Sequence, residues 1–162
     1  MQIRSAETAG FCFGVERAVS LAEQTAKSGA SAVTLGPIIH NRHVVERFEA
    51  MGLREIARAE DAQPGQTVVI RAHGIPVSEQ QTLAARGAKL VDATCPFVKK
   101  IHVIARQAEE AGRHLLIIGT PTHPEVTAIA SYSSDAHVFQ TAEALESWLT
   151  EAPGRRDLPF CM

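Results

Sequence analysis

Short aliphatic or β-branched runs alternate along this chain with longer segments of helical periodicity. Such alternation is typical of βαβ units, so the sequence predicts an α/β fold of parallel sheets covered by helices. The predicted strands are 2–6, 32–35, 67–71, 89–92, 114–118 and 136–139, with a last one starting near Leu158. The predicted helices are 15–27, 44–51, 78–86, 97–111, 125–132 and 142–149.

The composition is that of a soluble globular protein and argues against two classes of partner. Hydrophobic residues make up 45% of the 162 positions and charged residues 21%, with a net charge of −2. Because Lys and Arg are scattered among Asp and Glu, no basic stripe is present, and nucleic acid is not an expected partner. No apolar run is long enough to span a bilayer, and the polar start is unlike a secretory signal. We therefore expect no membrane partner and a cytoplasmic location.

Two of the three cysteines lie where a predicted helix begins. Cys12 stands in Gly10-Phe11-Cys12-Phe13-Gly14-Val15, and Cys95 stands in Asp92-Ala93-Thr94-Cys95-Pro96. The positive end of a helix dipole favours a thiolate, which is the form that binds metal or attacks as a nucleophile. Three widely spaced cysteines do not form a disulfide framework, so metal binding or catalysis is favoured. The plainer alternative, two small buried residues at element boundaries, stays open.

Three histidines follow the ends of three different predicted strands. His40 comes after strand 32–35, His73 after 67–71 and His123 after 114–118. The segments around His40 and His123 are similar, since in both a strand ends in Gly and a His follows four residues later. Ligands bind beyond the carboxyl ends of parallel strands, where imidazolium groups and helix N–H groups favour anions. The sequence therefore predicts a phosphate-binding site. The other histidines, namely His43, His102, His114 and His137, are expected to be surface residues or caps.

Glu125 is the one carboxyl group expected beside this anion site. An anion disfavours a neighbouring carboxylate, so Glu125 is a candidate proton donor. The alternative is that Glu125 is a first-turn acid that stabilises its own helix after Pro124. Asp92 has a similar alternative, as a cap for the turn before Cys95.

Five motifs together resemble one known family. They are Gly-Phe-Cys-Phe-Gly-Val at 10–15, His-Asn-Arg at 40–42, Ala-His-Gly at 72–74, Asp-Ala-Thr-Cys-Pro at 92–96 and His-Pro-Glu-Val at 123–126. In this order and spacing they resemble the LytB family of 4-hydroxy-3-methylbut-2-enyl diphosphate reductases, which act last in the non-mevalonate isoprenoid pathway. The resemblance runs essentially from Met1 to Met162.

The resemblance implies a trefoil of three α/β domains around a [4Fe–4S] cluster, with one cysteine ligand from each domain. Cys12 and Cys95 match the first two metal ligands. His40, His73 and His123 would bind the substrate diphosphate, and Glu125, with His123 beside it, would deliver a proton to the departing hydroxyl group. Reductive dehydroxylation would give isopentenyl and dimethylallyl diphosphates, with electrons from an external donor such as ferredoxin or flavodoxin.

The same resemblance implies that this sequence covers only part of the trefoil. Residues 1–95 would form the first α/β domain and 96–162 an incomplete second domain, with the third domain absent. Cys161 does not match the third ligand and is expected to be a core residue or an exposed thiol. A [4Fe–4S] cluster takes more than two protein ligands, so we expect this truncated chain to be inactive as a reductase on its own.

Three other functions remain open from the residues. Cys12, Cys95 and a histidine are a donor set that suits zinc. The histidines of a non-catalytic fragment could bind phosphate while the thiols bind nothing. A thiol enzyme based on Cys95 and a histidine has the least support, because no spacing predicts their contact.

Overall fold

The computed structural model describes residues 2–4 and 6–162, which form two parallel sheets flanked by helices. The first sheet contains β1 (Ala32–Leu35), β2 (Arg54–Ile56), β3 (Thr67–Ile70) and β4 (Lys89–Asp92). The second contains β5 (His114–Ile118), β6 (Ala136–Phe139) and β7 (Phe160–Cys161). The helices are α1 (Phe13–Lys27), α2 (Arg42–Ala50), α3 (Val77–Ala85), α4 (Pro96–Glu110), α5 (Pro124–Ala130) and α6 (Ala142–Glu151). The predicted α/β class is confirmed.

Strand order reverses inside each sheet. The orders are β2-β1-β3-β4 and β6-β5-β7, and all the pairs are parallel. In the first sheet the chain runs from β1 to β2 on one side and then crosses to β3 on the other side of β1. In the second sheet β6 and β7 likewise lie on opposite sides of β5. In open parallel sheets such reversals create a crevice beyond the carboxyl ends of the strands, where ligands bind. The loops that follow β1, β3 and β5 are thus the expected places for a site.

Both faces of the first sheet are covered. Val69 packs in a core cluster with Ala18 and Val44 of α1 and α2. Its neighbour Val68 packs on the other face, with Leu83 of α3. This alternation follows from the two-residue period of a strand, and it explains why β3 is a continuous apolar run.

Helix α4 joins the two sheets. It begins just beyond β4 of the first sheet, and its buried Ala105 packs with Leu115 of β5 and Ile129 of α5. Two hydrogen bonds add to the contact: Val77 N–H donates to Ser131 Oγ at 3.0 Å, and Gln80 Nε2 donates to the Tyr132 hydroxyl at 2.9 Å. The sheets are therefore held together by both apolar and polar contacts. The domain division at 95/96 stays a prediction.

Two strand predictions differ from the structure. Among residues 2–4 and 6 there is no strand, Ile3 is 83% exposed, and Ser5 lies outside the described residues. A strand needs a partner for its backbone groups, and the sheet β2-β1-β3-β4 contains no pairing with these described residues. In contrast β2, which the sequence analysis missed, is a short edge strand. Its residues Arg-Glu-Ile lack the aliphatic run that marks the other strands.

Candidate functional site

Cys12 and Cys95 occupy equivalent positions, each at the N-cap of a long helix. Cys12 precedes α1 and Cys95 precedes α4, and neither side chain caps its helix by a hydrogen bond. Cys12 is exposed and Cys95 is half-buried, and neither forms a disulfide. Both thiols are therefore free to bind a ligand next to unpaired N–H groups and the positive end of a helix dipole.

Gly14 allows the first helix to approach Cys95 closely. A Cβ atom at Gly14 would overlap the Cys95 Sγ atom and would lie 3.1 Å from the Cys95 Cβ atom. No larger residue fits at position 14 without displacing that thiol. The Gly-Phe-Cys-Phe-Gly motif thus brings the start of α1 directly against the second cysteine.

The loop that carries Cys95 is fixed from two sides. Arg17 of α1 donates from Nη1 to the Thr94 carbonyl at 3.2 Å and from Nη2 to the Asp92 carbonyl at 3.4 Å. Asp92 Oδ1 accepts the Thr94 N–H at 2.9 Å, and Lys99 Nζ pairs with Asp92 Oδ2 at 2.6 Å. Burial acts to raise the pKa of Asp92, but the Lys99 and Thr94 hydrogen bonds outweigh it and hold that pKa below its ordinary value. Asp92 therefore caps the turn before Cys95, which is one of the two roles that the sequence left open for it.

Hydrogen bonds beyond the strand ends place the His40, His73 and Cys95 loops side by side. Ala72 N–H donates to the Ile38 carbonyl at 3.2 Å, and Cys95 N–H donates to the Ala72 carbonyl at 2.9 Å. These bonds continue the ladder of the sheet past β1, β3 and β4. His73 therefore lies between the His40 loop and the second cysteine.

The three predicted histidines converge. His40, His73 and His123 have ligand nitrogens within 4.8 Å of one another, and their ring centroids are 4.7 to 6.2 Å apart. We call these three residues the histidine cluster. Two members follow strands of the first sheet and the third follows β5 of the second, so the cluster bridges the sheets.

A cavity connects the histidine cluster to the start of α1. It has a volume of about 270 Å³, and its walls include His40 and His73 together with Phe11 and Val15, which bracket Cys12. Asn41 also lines it and caps α2 by accepting the Val44 N–H at 3.3 Å. The first thiol and two of the imidazoles thus belong to one region of the surface.

The protonation of His73 depends on its surroundings. Burial, followed by repulsion from His40, His123 and Arg71, lowers the pKa of His73 from 6.5 to about 4. Its Nδ1 atom is buried and has no hydrogen-bond partner among the described residues. A bound anion would oppose both the repulsion and the loss of solvation of the charged ring. His73 is therefore neutral in the free chain at pH 7, and a bound anion would raise its pKa and favour the protonated ring.

His123 and Glu125 are held by the start of α5. The His123 Nδ1 atom accepts the Glu125 N–H at 3.2 Å, so the proton of the neutral ring lies on Nε2. That N–H is free to donate to an anion. Glu125 is half-buried in the first turn of the helix, two residues after the cluster histidine. Glu125 therefore lies in the helix turn that His123 caps.

Several contacts at this site were absent from the sequence analysis. Gly74 has φ +76°, and a Cβ there would lie 2.7 Å from His102 Cε1. His102 is only 7% exposed and stacks on Tyr132 with centroids 4.6 Å apart, so the prediction that it is a surface residue or cap was wrong. Arg17 was missed as well. No local pattern signals these contacts, because each joins residues distant in sequence.

The remaining predictions for single residues have mixed outcomes. The His43 side chain is 94% exposed, as predicted. Cys161 is half-buried and packs against the core cluster of the second sheet. His114 and His137 are partly buried and pair with Asp135, so they are not simple surface residues. In the described part of the chain no helix is long and apolar enough to cross a membrane.

Comparison with known proteins decides the family. The model of the LytB protein family matches residues 3–156. The chain belongs to the LytB family. A LytB relative from Oleidesulfovibrio alaskensis, named 4-hydroxy-3-methylbut-2-enyl diphosphate reductase, is 47% identical over 150 residues, covering 91% of this chain and 53% of the relative. The relative of the same name from Aquifex aeolicus is 44% identical over 128 residues, covering 78% of this chain and 44% of the relative.

Solved structures of LytB relatives share the fold. One is described as (E)-4-hydroxy-3-methyl-but-2-enyl diphosphate reductase, the terminal enzyme of the non-mevalonate pathway. It matches with a TM-score of 0.73 and 41% identity, covering 87% of this chain and 53% of that one. The diphosphate reductase from Plasmodium falciparum matches with a TM-score of 0.83 and 26% identity, covering 86% and 45%. The chain thus spans about half the length of the curated relatives it matches.

Proposed function

We propose that this chain provides the substrate diphosphate site and two cysteine ligands of a 4-hydroxy-3-methylbut-2-enyl diphosphate reductase. The observation that carries the proposal is the convergence of His40, His73 and His123 from two sheets, beside the helix start that bears Cys12. The names of the LytB relatives supply the substrate and the reaction class. In this proposal the products are isopentenyl and dimethylallyl diphosphates, and the electrons come from an external donor such as ferredoxin or flavodoxin.

The histidine cluster would bind the diphosphate. Three imidazoles within 4.8 Å of one another repel when protonated, and an anion with several oxygens relieves that repulsion. The His123 Nε2–H donates, and His73 takes up a proton as the anion arrives. Charge-assisted hydrogen bonds of this kind are stronger than neutral ones.

Glu125 would donate a proton to the departing hydroxyl group, which then leaves as water. It lies in the first turn of α5, two residues after His123, which supports this role. A bound diphosphate favours the neutral carboxylic acid, which can then donate to the departing oxygen. Overall two electrons and two protons convert the substrate into product and water.

The cysteines fit an iron–sulfur cluster as part of its ligand set. Iron–sulfur clusters are held by thiolates, and Cys12 and Cys95 are free thiols at helix N-caps. Gly14, two residues after Cys12, lies directly against Cys95. When bound, the cluster would pass the electrons of the external donor to the substrate. Because two thiolates are fewer than the usual ligand set, we expect the 162-residue polypeptide assayed alone to take up iron and bind diphosphate without turnover.

The zinc alternative has less support. Among the described residues, the groups of three or more histidine, cysteine or carboxylate ligands within 4.8 Å contain no cysteine. A single tetrahedral ion would need Cys12, Cys95 and a histidine at such distances. A cluster of several iron atoms spans a larger space, so its ligand atoms need not lie so close together.

Anaerobic reconstitution with iron and sulfide tests the cysteine assignment. The wild-type chain is expected to bind iron and sulfide with visible absorbance, and Cys12→Ser or Cys95→Ser to lose most of it. Cys161→Ser is the matched control, since this half-buried thiol lies on β7 and not at a helix N-cap. Iron content unchanged in the Cys12→Ser, Cys95→Ser double variant, or equal loss in Cys161→Ser, would contradict the assignment. Preferential retention of zinc over iron would favour the zinc alternative.

A further inference from the structure

A second group of potential ligands lies at the opposite end of the second sheet. His114, Asp135 and His137 have ligand atoms within 4.8 Å of one another. Asp135 Oδ2 is 2.5 Å from His114 Nδ1, and Asp135 Oδ1 is 2.8 Å from His137 Nε2. One carboxylate therefore contacts both imidazoles, one with each oxygen.

The register of the strands places these side chains on one face. Leu115 pairs with Ala136, so His114 at the start of β5 lies opposite Asp135, which precedes β6. His137 is two residues beyond Asp135, and side chains two apart on an extended strand share a face. The group is thus at the amino ends of the strands, whereas His123 follows the carboxyl end of β5. It is distinct from the proposed diphosphate site.

Aromatic rings surround the group on its sheet face. The Trp148 ring lies 4.5 Å from the His137 ring, and the Phe160 ring lies 6.0 Å from the His114 ring. The His114, His137 and Asp135 side chains are 24%, 30% and 46% exposed. The three ligands are therefore held by strands and packed rings, while solvent still reaches them.

The three side chains contact one another directly. His114 Nδ1 is buried, lies 2.5 Å from Asp135 Oδ2 and makes no hydrogen bond to any other described residue. A metal ion would bind the lone pairs of the two neutral imidazoles and one carboxylate oxygen, so it would replace these direct contacts after small side-chain rotations.

We propose that His114, Asp135 and His137 form a site for a Zn²⁺-type divalent cation. Two imidazole nitrogens and one carboxylate oxygen are ligands that Zn²⁺ prefers, and three protein ligands plus water complete its tetrahedral coordination. The bound ion would link β5 to β6 at the amino edge of the sheet. The site is separate from the cysteines and does not depend on the proposed reductase function.

The single tryptophan of the chain reports on this site directly. Trp148 contacts His137, so binding of Co²⁺ at the site is expected to quench its fluorescence, and Zn²⁺ should reverse the quenching by competition. Calorimetry of Zn²⁺ binding gives an independent affinity. Both titrations use a Cys12→Ser, Cys95→Ser, His40→Asn background, which disables the other metal-binding candidates.

Substitutions in that background separate the proposal from a simple hydrogen-bonded cluster. His114→Gln, His137→Gln and Asp135→Asn are each expected to weaken Zn²⁺ binding about tenfold or more. His43→Gln, at an exposed histidine on α2, is the control and should leave the affinity unchanged. Asp135→Asn preserves side-chain size, so it provides the test if a histidine variant does not fold. Absence of saturable binding in the background variant, or an affinity that none of the three substitutions lowers, would overturn the proposal.

Discussion

At the residue scale, Gly74 determines the position of the loop that carries His73. Its φ of +76° belongs to the region that favours glycine, and its missing Cβ leaves room for the buried His102 ring. Arg71 Nε donates to the Gly74 carbonyl at 3.2 Å and holds the loop from the other side. The position of the histidine therefore depends on one backbone conformation and one packing contact.

Gly74→Ala should lower the free energy of unfolding by about 2 to 4 kcal/mol, because positive φ strain and a clash with His102 add together. Gly65→Ala is the matched control: φ there is +75°, but no atom lies within 4 Å of the added Cβ. Only the strain, about 1 kcal/mol, should remain in the control. Urea unfolding measures both values. Equal losses in the two variants would show that the His102 contact contributes nothing.

Protonation of His73 should make the free chain less stable in acid. Its pKa is about 4 when folded and near 6.5 when unfolded, so between these values the unfolded chain binds more protons. The free energy of unfolding therefore falls as pH drops from 6.5 to 4. His73→Asn should flatten the pH dependence over this window, measured by urea unfolding at several pH values, with His43→Asn as the control. An unchanged slope in His73→Asn would contradict the pKa assignment.

At the scale of elements, helix α1 organises the second cysteine as well as carrying the first at its N-cap. Gly14 lets it approach Cys95, and Arg17, about one turn along, donates to the Thr94 and Asp92 carbonyls. The sequence predicted the helix and both cysteine positions, since periodicity and motif spacing are local properties. The contacts of Gly14 and Arg17 span more than 70 residues, so no local pattern could reveal them.

Arg17→Met should loosen the Cys95 loop while preserving the fold. Loss of two hydrogen bonds from a charged donor is expected to cost about 1 to 2 kcal/mol and to speed modification of Cys95 by a thiol reagent. Arg42→Met is the control, because Arg42 forms only an exposed ion pair with Glu46 on α2. It should change the free energy of unfolding by less than about 0.5 kcal/mol and leave the reactivity of Cys95 unchanged. Mass-mapped thiol labelling measures the rates. Equal Cys95 rates in wild type and Arg17→Met would remove Arg17 from this role.

At the scale of the whole molecule, the candidate site exists only because two sheets meet. Each sheet reverses its strand order at the strand that precedes a cluster histidine, β1 in one and β5 in the other. The similar Gly-to-His spacing in the two segments predicted that both histidines would lie at strand ends. It could not predict their separation, which depends on the packing of α4 and on the contacts of Tyr132.

Calorimetric titration of inorganic diphosphate tests the central claim, that three loops of this chain form one diphosphate site. The wild-type chain should bind one diphosphate, and His40→Asn, His73→Asn and His123→Asn should each weaken binding about tenfold or more. His43→Asn should bind as the wild type does, because its side chain is 94% exposed and lies outside the cluster. Binding that survives all three cluster substitutions, or that falls equally in His43→Asn, would contradict the account.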